Sequence, residues 1–194
     1  TRGMSSAASD VYKRQGLRYL NTRHNIGFML IDKIHKTFNF PSFESKFDSQ
    51  FTKLKIKNKN IILLKPQSFM NLSGTAVKKC HKFFKIPTEN IMVFHDDLDM
   101  EFLKVKIKSS GGDGGHNGIK NIRENIGDDF NRIKIGIRNS KKIINVEKFV
   151  LGDFSLSEKG KVKFKIKQII ENIENIFNKE FSKFLNEIKN NNGV

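Results

Sequence analysis

The stretch Ile91-Met92-Val93-Phe94-His95-Asp96-Asp97-Leu98-Asp99 decides the fold. Its apolar run is short and suits a buried strand ending at His95. In α/β proteins, functional groups gather at the carboxyl ends of such strands, which makes Asp96 the first candidate residue. Helical and extended patterns alternate on either side of it. Ile26, Leu30, Ile34 and Phe38 repeat at helical spacing, with Thr22 or Asn25 as the cap. Residues 50–57 and 61–65 read as strands around the turn Asn58-Lys59-Asn60. Ala76, Val77, Cys80, Phe83 and Phe84 give a second helix, stopped near Pro87.

Downstream, Lys104, Lys106 and Lys108 alternate with Val105 and Ile107, so a strand there carries a row of ammonium groups on one face. Ile119, Ile122 and Ile126 mark a helix after a glycine-rich loop, and residues 132–137 form an alternating strand. Ser155 and Glu158 have capping-box spacing ahead of one last helix, whose stripe runs from Ile166 to Ile188. The expected architecture is α/β: one domain over residues 16–194, with a mixed twisted sheet flanked by helices.

Residues 1–15 have neither strand nor helix periodicity. Asp10-Val11-Tyr12-Lys13-Arg14-Gln15 reads as the translation of a transposon-type sequencing adapter, and the segment is expected to be non-native or disordered. No window approaches the roughly 20 apolar residues of a membrane span. The lone cysteine, Cys80, has no intramolecular partner, and no secretory signal stands out, so the cytoplasm is the expected compartment. The net charge of +16, from 36 basic and 20 acidic residues, makes a polyanion the first partner to consider. Nucleic acid ranks above a membrane because no basic amphipathic anchor is present, although an AT-rich genome would also raise the lysine content.

Chemistry concentrates in four strings: residues 21–28, residues 69–71, residues 95–99 and residues 111–118. A neutral histidine with a carboxylate on its far nitrogen makes a general base near neutral pH. His24 is the candidate base and Asp96 its partner. His95, Asp96, Asp97 and Asp99 also resemble oxygen-rich metal ligands. Their spacing matches no calcium loop, and no zinc-like His/Cys set accompanies them, so no metal is expected. A solvated acidic turn is the third reading for Asp97 and Asp99. The glycine-rich stretch 111–118 offers backbone N–H groups at a helix start, suited to an anion or developing oxyanion. It lacks the Gly-Lys-Ser/Thr of a phosphate-binding P-loop. Asn71 and Asn117 are placed to donate amide hydrogen bonds to a carbonyl or to orient water. With no serine in a nucleophile-elbow pattern, water is the favoured nucleophile.

Together these strings resemble bacterial peptidyl-tRNA hydrolases, from about Gly16 to the C-terminal helix. The resemblance rests on residues 22–25, on Leu64 to Gly74, on residues 95–99 and on residues 114–118; residues 132–137 and 149–152 match as well. It implies hydrolysis of the ester between a peptide and the 3′ end of tRNA, by a monomer without metal or cofactor. His24 is then the catalytic base and Asp96 orients it. Tyr19, Met70, Asn71, His116 and Asn117 bind substrate, with Met70 and His116 lining the peptide channel. Lys106, Lys108 and Lys134 hold the terminal phosphate of the tRNA. The family also opens with a strand running into Gly-x-Gly-Asn-Pro-Gly. Here Arg14 stands where its asparagine is expected and only Gly16 remains, so the first strand is expected to be missing or replaced. The alternatives are a non-catalytic RNA-binding protein of the same fold, or a hydrolase inactivated by its altered start.

Overall fold

The computed structural model describes residues 21–67, 72–139 and 143–190. Tyr19, Met70, Asn71 and the 1–15 segment lie outside the described residues. A 3-10 turn over Arg23–Asn25 leads into helix α1, Ile26–Thr37, with Asn25 at its N-cap position. Ile26, Leu30 and Ile34 are buried, as their spacing predicts, and Asn39 leaves the helix at φ 54°. Strands β1 (Glu44–Lys46), β2 (Ser49–Ile56) and β3 (Lys59–Pro66) form an antiparallel meander. Helix α2, Ser73–Phe84, ends at Lys85 in the left-handed region, two residues ahead of Pro87.

The second sheet carries the site. It contains β4 (Met92–Glu101), β5 (Val105–Lys108) and β6 (Asn131–Arg138) in the order β4-β6-β5. β4 runs parallel to β6 and β5 antiparallel to it, so this sheet is mixed as expected. Helix α3, Asn117–Ile126, connects β5 to β6, and α4 (Val146–Val150) and α5 (Leu156–Glu171) follow. The chain continues through α6 (Ile173–Phe177) and α7 (Phe181–Asn190).

Four expectations need correction. The strands form two three-stranded sheets among the described residues rather than one. β4 does not end at His95: Asp96 and Asp97 pair with Ile135 and Gly136 of β6, and the register shifts only between Asp97 and Glu101. Its polar residues His95, Asp96 and Asp97 are buried, while the apolar residues 92–94 are half-buried. β6 is not a one-sided alternating strand. It is paired along both edges and also buried on both faces, and even Arg132 is 1% exposed. The last helix is three segments, because Asn172 leaves helical geometry after α5 and Lys179 takes φ 61° before α7. The stripe survives these breaks: Ile169, Ile170, Ile173, Phe184 and Ile188 reach the core, joined by Ile176, which was not part of it, while Phe177 is only partly buried.

That core joins α1, β3, β6 and the C-terminal helices in one cluster. Full burial of each such side chain contributes roughly 1.5–3 kcal/mol. Close backbone approach sets the site's geometry. A Cβ placed on Gly27 would lie 2.2 Å from the carbonyl oxygen of Phe94, so only glycine lets the start of α1 sit directly on β4. Gly27→Ala is expected to push the helix off the strand and destabilise the fold by about 1–3 kcal/mol. This exceeds the gain of roughly 1 kcal/mol that alanine brings to a helix interior. Thermal denaturation checks it, and an unchanged or raised midpoint would contradict the assignment.

Candidate active site

The short turn that carries His24 is fixed from outside. Thr22 bridges to Asp153, and the Arg23 backbone N–H donates to the Gly152 carbonyl at 3.1 Å. The Arg23 guanidinium donates to Glu158 at 2.9 Å and to the Gly152 carbonyl at 3.2 Å, and stands 4.5 Å from the Phe149 ring centre. Glu158 closes the Ser155 capping box of α5 at the same time. Arg23 therefore ties the histidine to the first turn of α5, a positioning role that the sequence did not reveal.

His24 Nδ1 lies 2.9 Å from Asp96 Oδ1, the pair expected from the sequence. The same oxygen also meets His116 Nε2 at 3.1 Å, and the two imidazole centres are 4.9 Å apart. Burial opposes the Asp96 charge. The hydrogen bonds from His116 and His24 outweigh it and hold the carboxyl well below the ordinary carboxylate range. An ionised carboxylate only accepts, so each ring nitrogen facing it carries a proton. His24 is thereby left with its Nε2 lone pair free of that bond, the form a general base requires.

His116 is held in a matching tautomer from its other side. Its Nδ1 accepts the Ile119 backbone N–H at 3.3 Å and caps α3, so Nε2 is the protonated nitrogen. This bears on metal binding, because His24, Asp96 and His116 are the one group among the described residues whose ligand atoms come close enough to hold an ion. Coordination through His116 Nε2 would move its proton to Nδ1, against the Ile119 N–H, and forfeit the helix cap. The donor set fits a hydrogen-bonded triad better than a metal centre.

The neighbouring acids divide by role. Asp97 is buried, accepts the backbone N–H groups of Asp99 and Met100 at 2.9 and 3.1 Å, and pairs with Lys134. It is a structural carboxylate, not part of a solvated turn, whereas Asp99 is exposed as that reading expects. His95 is also buried, with Nδ1 donating to the Asp96 carbonyl at 2.7 Å. Burial first, and then His116, push its pKa down to about 4.

The glycine-rich loop differs from the expected anion cradle. Buried Arg132 draws in the carbonyl oxygens of Ser110, Gly111 and Gly112, so these face a cation of the protein itself. The Gly115 N–H goes to the Asp113 side chain, and the His116 N–H to the Asp113 carbonyl. Gly114 and Gly115 take φ 63° and 75°, which turns the chain so that His116 reaches Asp96. Asn117 stands exposed at the first position of α3, one residue beyond.

Lys106 and Lys108 are exposed on β5, as their alternation predicts. Lys134, opposite Lys106 on β6, is committed to Asp97. Sequence reasoning placed His116 in a channel wall and missed its bond to Asp96. It gave His95 only a metal-ligand reading, whereas His95 donates to the Asp96 carbonyl.

Comparison with known proteins bears on the family and the fold. The family model for peptidyl-tRNA hydrolase matches residues 14–193. A peptidyl-tRNA hydrolase of Bartonella henselae is 41% identical over 175 residues, spanning 89% of this chain and 90% of that protein. One from Ehrlichia ruminantium is 40% identical over 174 residues, spanning 90% of this chain and 89% of that protein. The crystal structure of the peptidyl-tRNA hydrolase from Acinetobacter baumannii superposes with a TM-score of 0.81 at 30% identity, over 88% of each chain.

The low His95 pKa has a signed consequence. Between pH 6.5 and about 4 the unfolded chain binds a proton that folded His95 refuses, so stability falls as pH drops through that window. His95→Gln is expected to flatten this part of the profile in denaturant titrations at several pH values. An identical slope in parent and variant would rule out the buried neutral histidine.

Proposed function

Because the chain belongs to the peptidyl-tRNA hydrolase family, we propose that it hydrolyses the ester joining a peptide to the 3′ end of tRNA, with His24 activating the attacking water. The observation that carries this reading is the His24–Asp96 contact at 2.9 Å, which leaves His24 Nε2 as a proton acceptor. Nε2 takes a proton from water as the water oxygen attacks the ester carbonyl. Asp96 stabilises the imidazolium that forms. When the tetrahedral intermediate collapses, the bond from the carbonyl carbon to the ribose oxygen breaks. The imidazolium returns its proton to that oxygen, releasing peptide and tRNA.

His116 holds Asp96 from the second side and faces the bound peptide. Asn117, exposed at the start of α3, donates its amide to the substrate carbonyl. Asn71, Met70 and Tyr19 enter as substrate-binding residues on their place in the family strings alone. Lys106 and Lys108 grip the terminal phosphate, and Lys134, which is paired with Asp97, joins them on its place in the family strings alone. The reaction needs no covalent enzyme intermediate. Burial pushes the Cys80 thiol up to about 11, so it stays protonated and inert. The same reading takes the enzyme as a cytoplasmic monomer, as suits a substrate from translation. Among the described residues, no helix is long and apolar enough to cross a membrane.

Release of N-acetyl-amino acid from charged tRNA tests the assignment. His24→Ala is expected to lower kcat by about 100-fold or more while tRNA binding persists. Asp96→Asn should behave similarly, because an amide can hold His24 in the wrong tautomer. Equal rates for parent and His24→Ala would refute the catalytic role.

A further inference from the structure

Arg132 takes no part in the chemistry above, yet it is a fully buried cation. Its guanidinium finds no carboxylate among the described residues, because Asp113 and Asp128, whose charges reach it, are both bonded to Arg123. Backbone oxygens take their place. Nη1 donates to the Gly112 carbonyl at 2.8 Å, and Nη2 to the carbonyls of Gly111, also at 2.8 Å, and of Ser110. A buried cation satisfied by carbonyls alone cannot release them without standing uncompensated away from water. The grip on these three residues is therefore persistent.

The loop so held joins β5 to α3 over residues 109–116 and carries glycine at 111, 112, 114 and 115. Glycine has little conformational preference of its own, so contacts, rather than local sequence, must set the path of such a loop. At its far end His116 has to bring Nε2 to within 3.1 Å of Asp96 Oδ1. Between the clamp and His116 lies one turn, in which Asp113 accepts the Gly115 N–H and pairs with Arg123 of α3. We propose that Arg132 is a positioning residue for hydrolysis, which delivers His116 to Asp96 by clamping the loop between β5 and α3.

This inference rests on the peptidyl-tRNA reading and adds to it a residue that touches neither substrate nor the reacting atoms. Through His116 the clamp keeps a second donor on the Asp96 carboxylate, whose ionised form fixes the His24 tautomer. The planar fork of a guanidinium is what the task needs, since its donors reach several oxygens at once from a fixed geometry. Lysine keeps the charge but not the fork. A neutral side chain fills the space and holds nothing.

The test uses two variants: Arg132→Lys, and an insertion of two glycines between Gly112 and Asp113 that leaves the clamp intact and uncouples it from His116. On N-acetyl-aminoacyl-tRNA, kcat should fall about tenfold or more in both, because a misplaced catalytic group costs rate steeply. KM should stay within about twofold, as expected when ground-state binding is untouched. Long-range 1H–15N spectra should show His116 as the single Nε2–H tautomer in the parent and as an average of two tautomers in both variants, well below their melting temperatures. Arg132→Lys combined with His116→Ala should be no slower than His116→Ala alone. The proposal is overturned by an unchanged kcat in the insertion variant, by additive losses in the double variant, or by a rise in KM at constant kcat. The insertion leaves the buried cation and its partners alone, so it decides wherever Arg132→Lys does not fold. A parent that hydrolyses nothing would defeat the functional reading instead. The His116 spectra would still report on the clamp, and a single tautomer retained in the insertion variant would overturn it.

Discussion

A single carboxylate oxygen, Asp96 Oδ1, organises this molecule. A buried carboxylate costs several kcal/mol unless its lone pairs are met, and here two histidines from distant parts of the chain meet them. His24 comes from the turn before α1 and His116 from the loop before α3. Bringing both to one atom requires that α1 lie against β4, which Gly27 permits, and that the loop fold back, which Arg132 enforces by binding three of its carbonyls. The positions of α1, β4 and α3 follow from satisfying that charge.

What could be read from the sequence was what local physics decides. The α1 stripe, the stop before Pro87, the alternation of β5 and the capping box at Ser155 each depend on a few neighbouring residues, and each was found in place. Where tertiary packing decides, the reading went astray. Nothing local tells β6 that it will be the middle strand, with Arg132 closed in beneath a loop. Nor does the stripe from Ile166 to Ile188 reveal that the helix must break at Asn172 and Lys179.

The site divides in the same way. The His24–Asp96 contact was legible because a histidine and a carboxylate are complementary by type. The second histidine on Asp96 was not, since hydrogen-bond partnership across 20 positions leaves no periodic trace. The acidic string was the hardest to resolve. Asp96, Asp97 and Asp99 are nearly identical in sequence context, yet one meets two histidines, one ties down a turn with Lys134, and one is solvated. Only the partners each carboxylate finds distinguish them, and those partners come from other strands and loops.

Glu158 shows how far the reach of one such group extends. Its carboxylate accepts from the Ser155 backbone, from Arg23 and from the Asn139 side chain, so the start of α5, the turn before His24 and the exit of β6 share one anion. Segments joined in this way open together rather than singly. The turn that carries His24 and the first turn of α5 thus form one cooperative unit, and fraying of a surface helix reaches His24 directly. Backbone amides on both sides of that anion would exchange with solvent at a common rate, although Arg23 and Glu158 lie 135 residues apart in the chain.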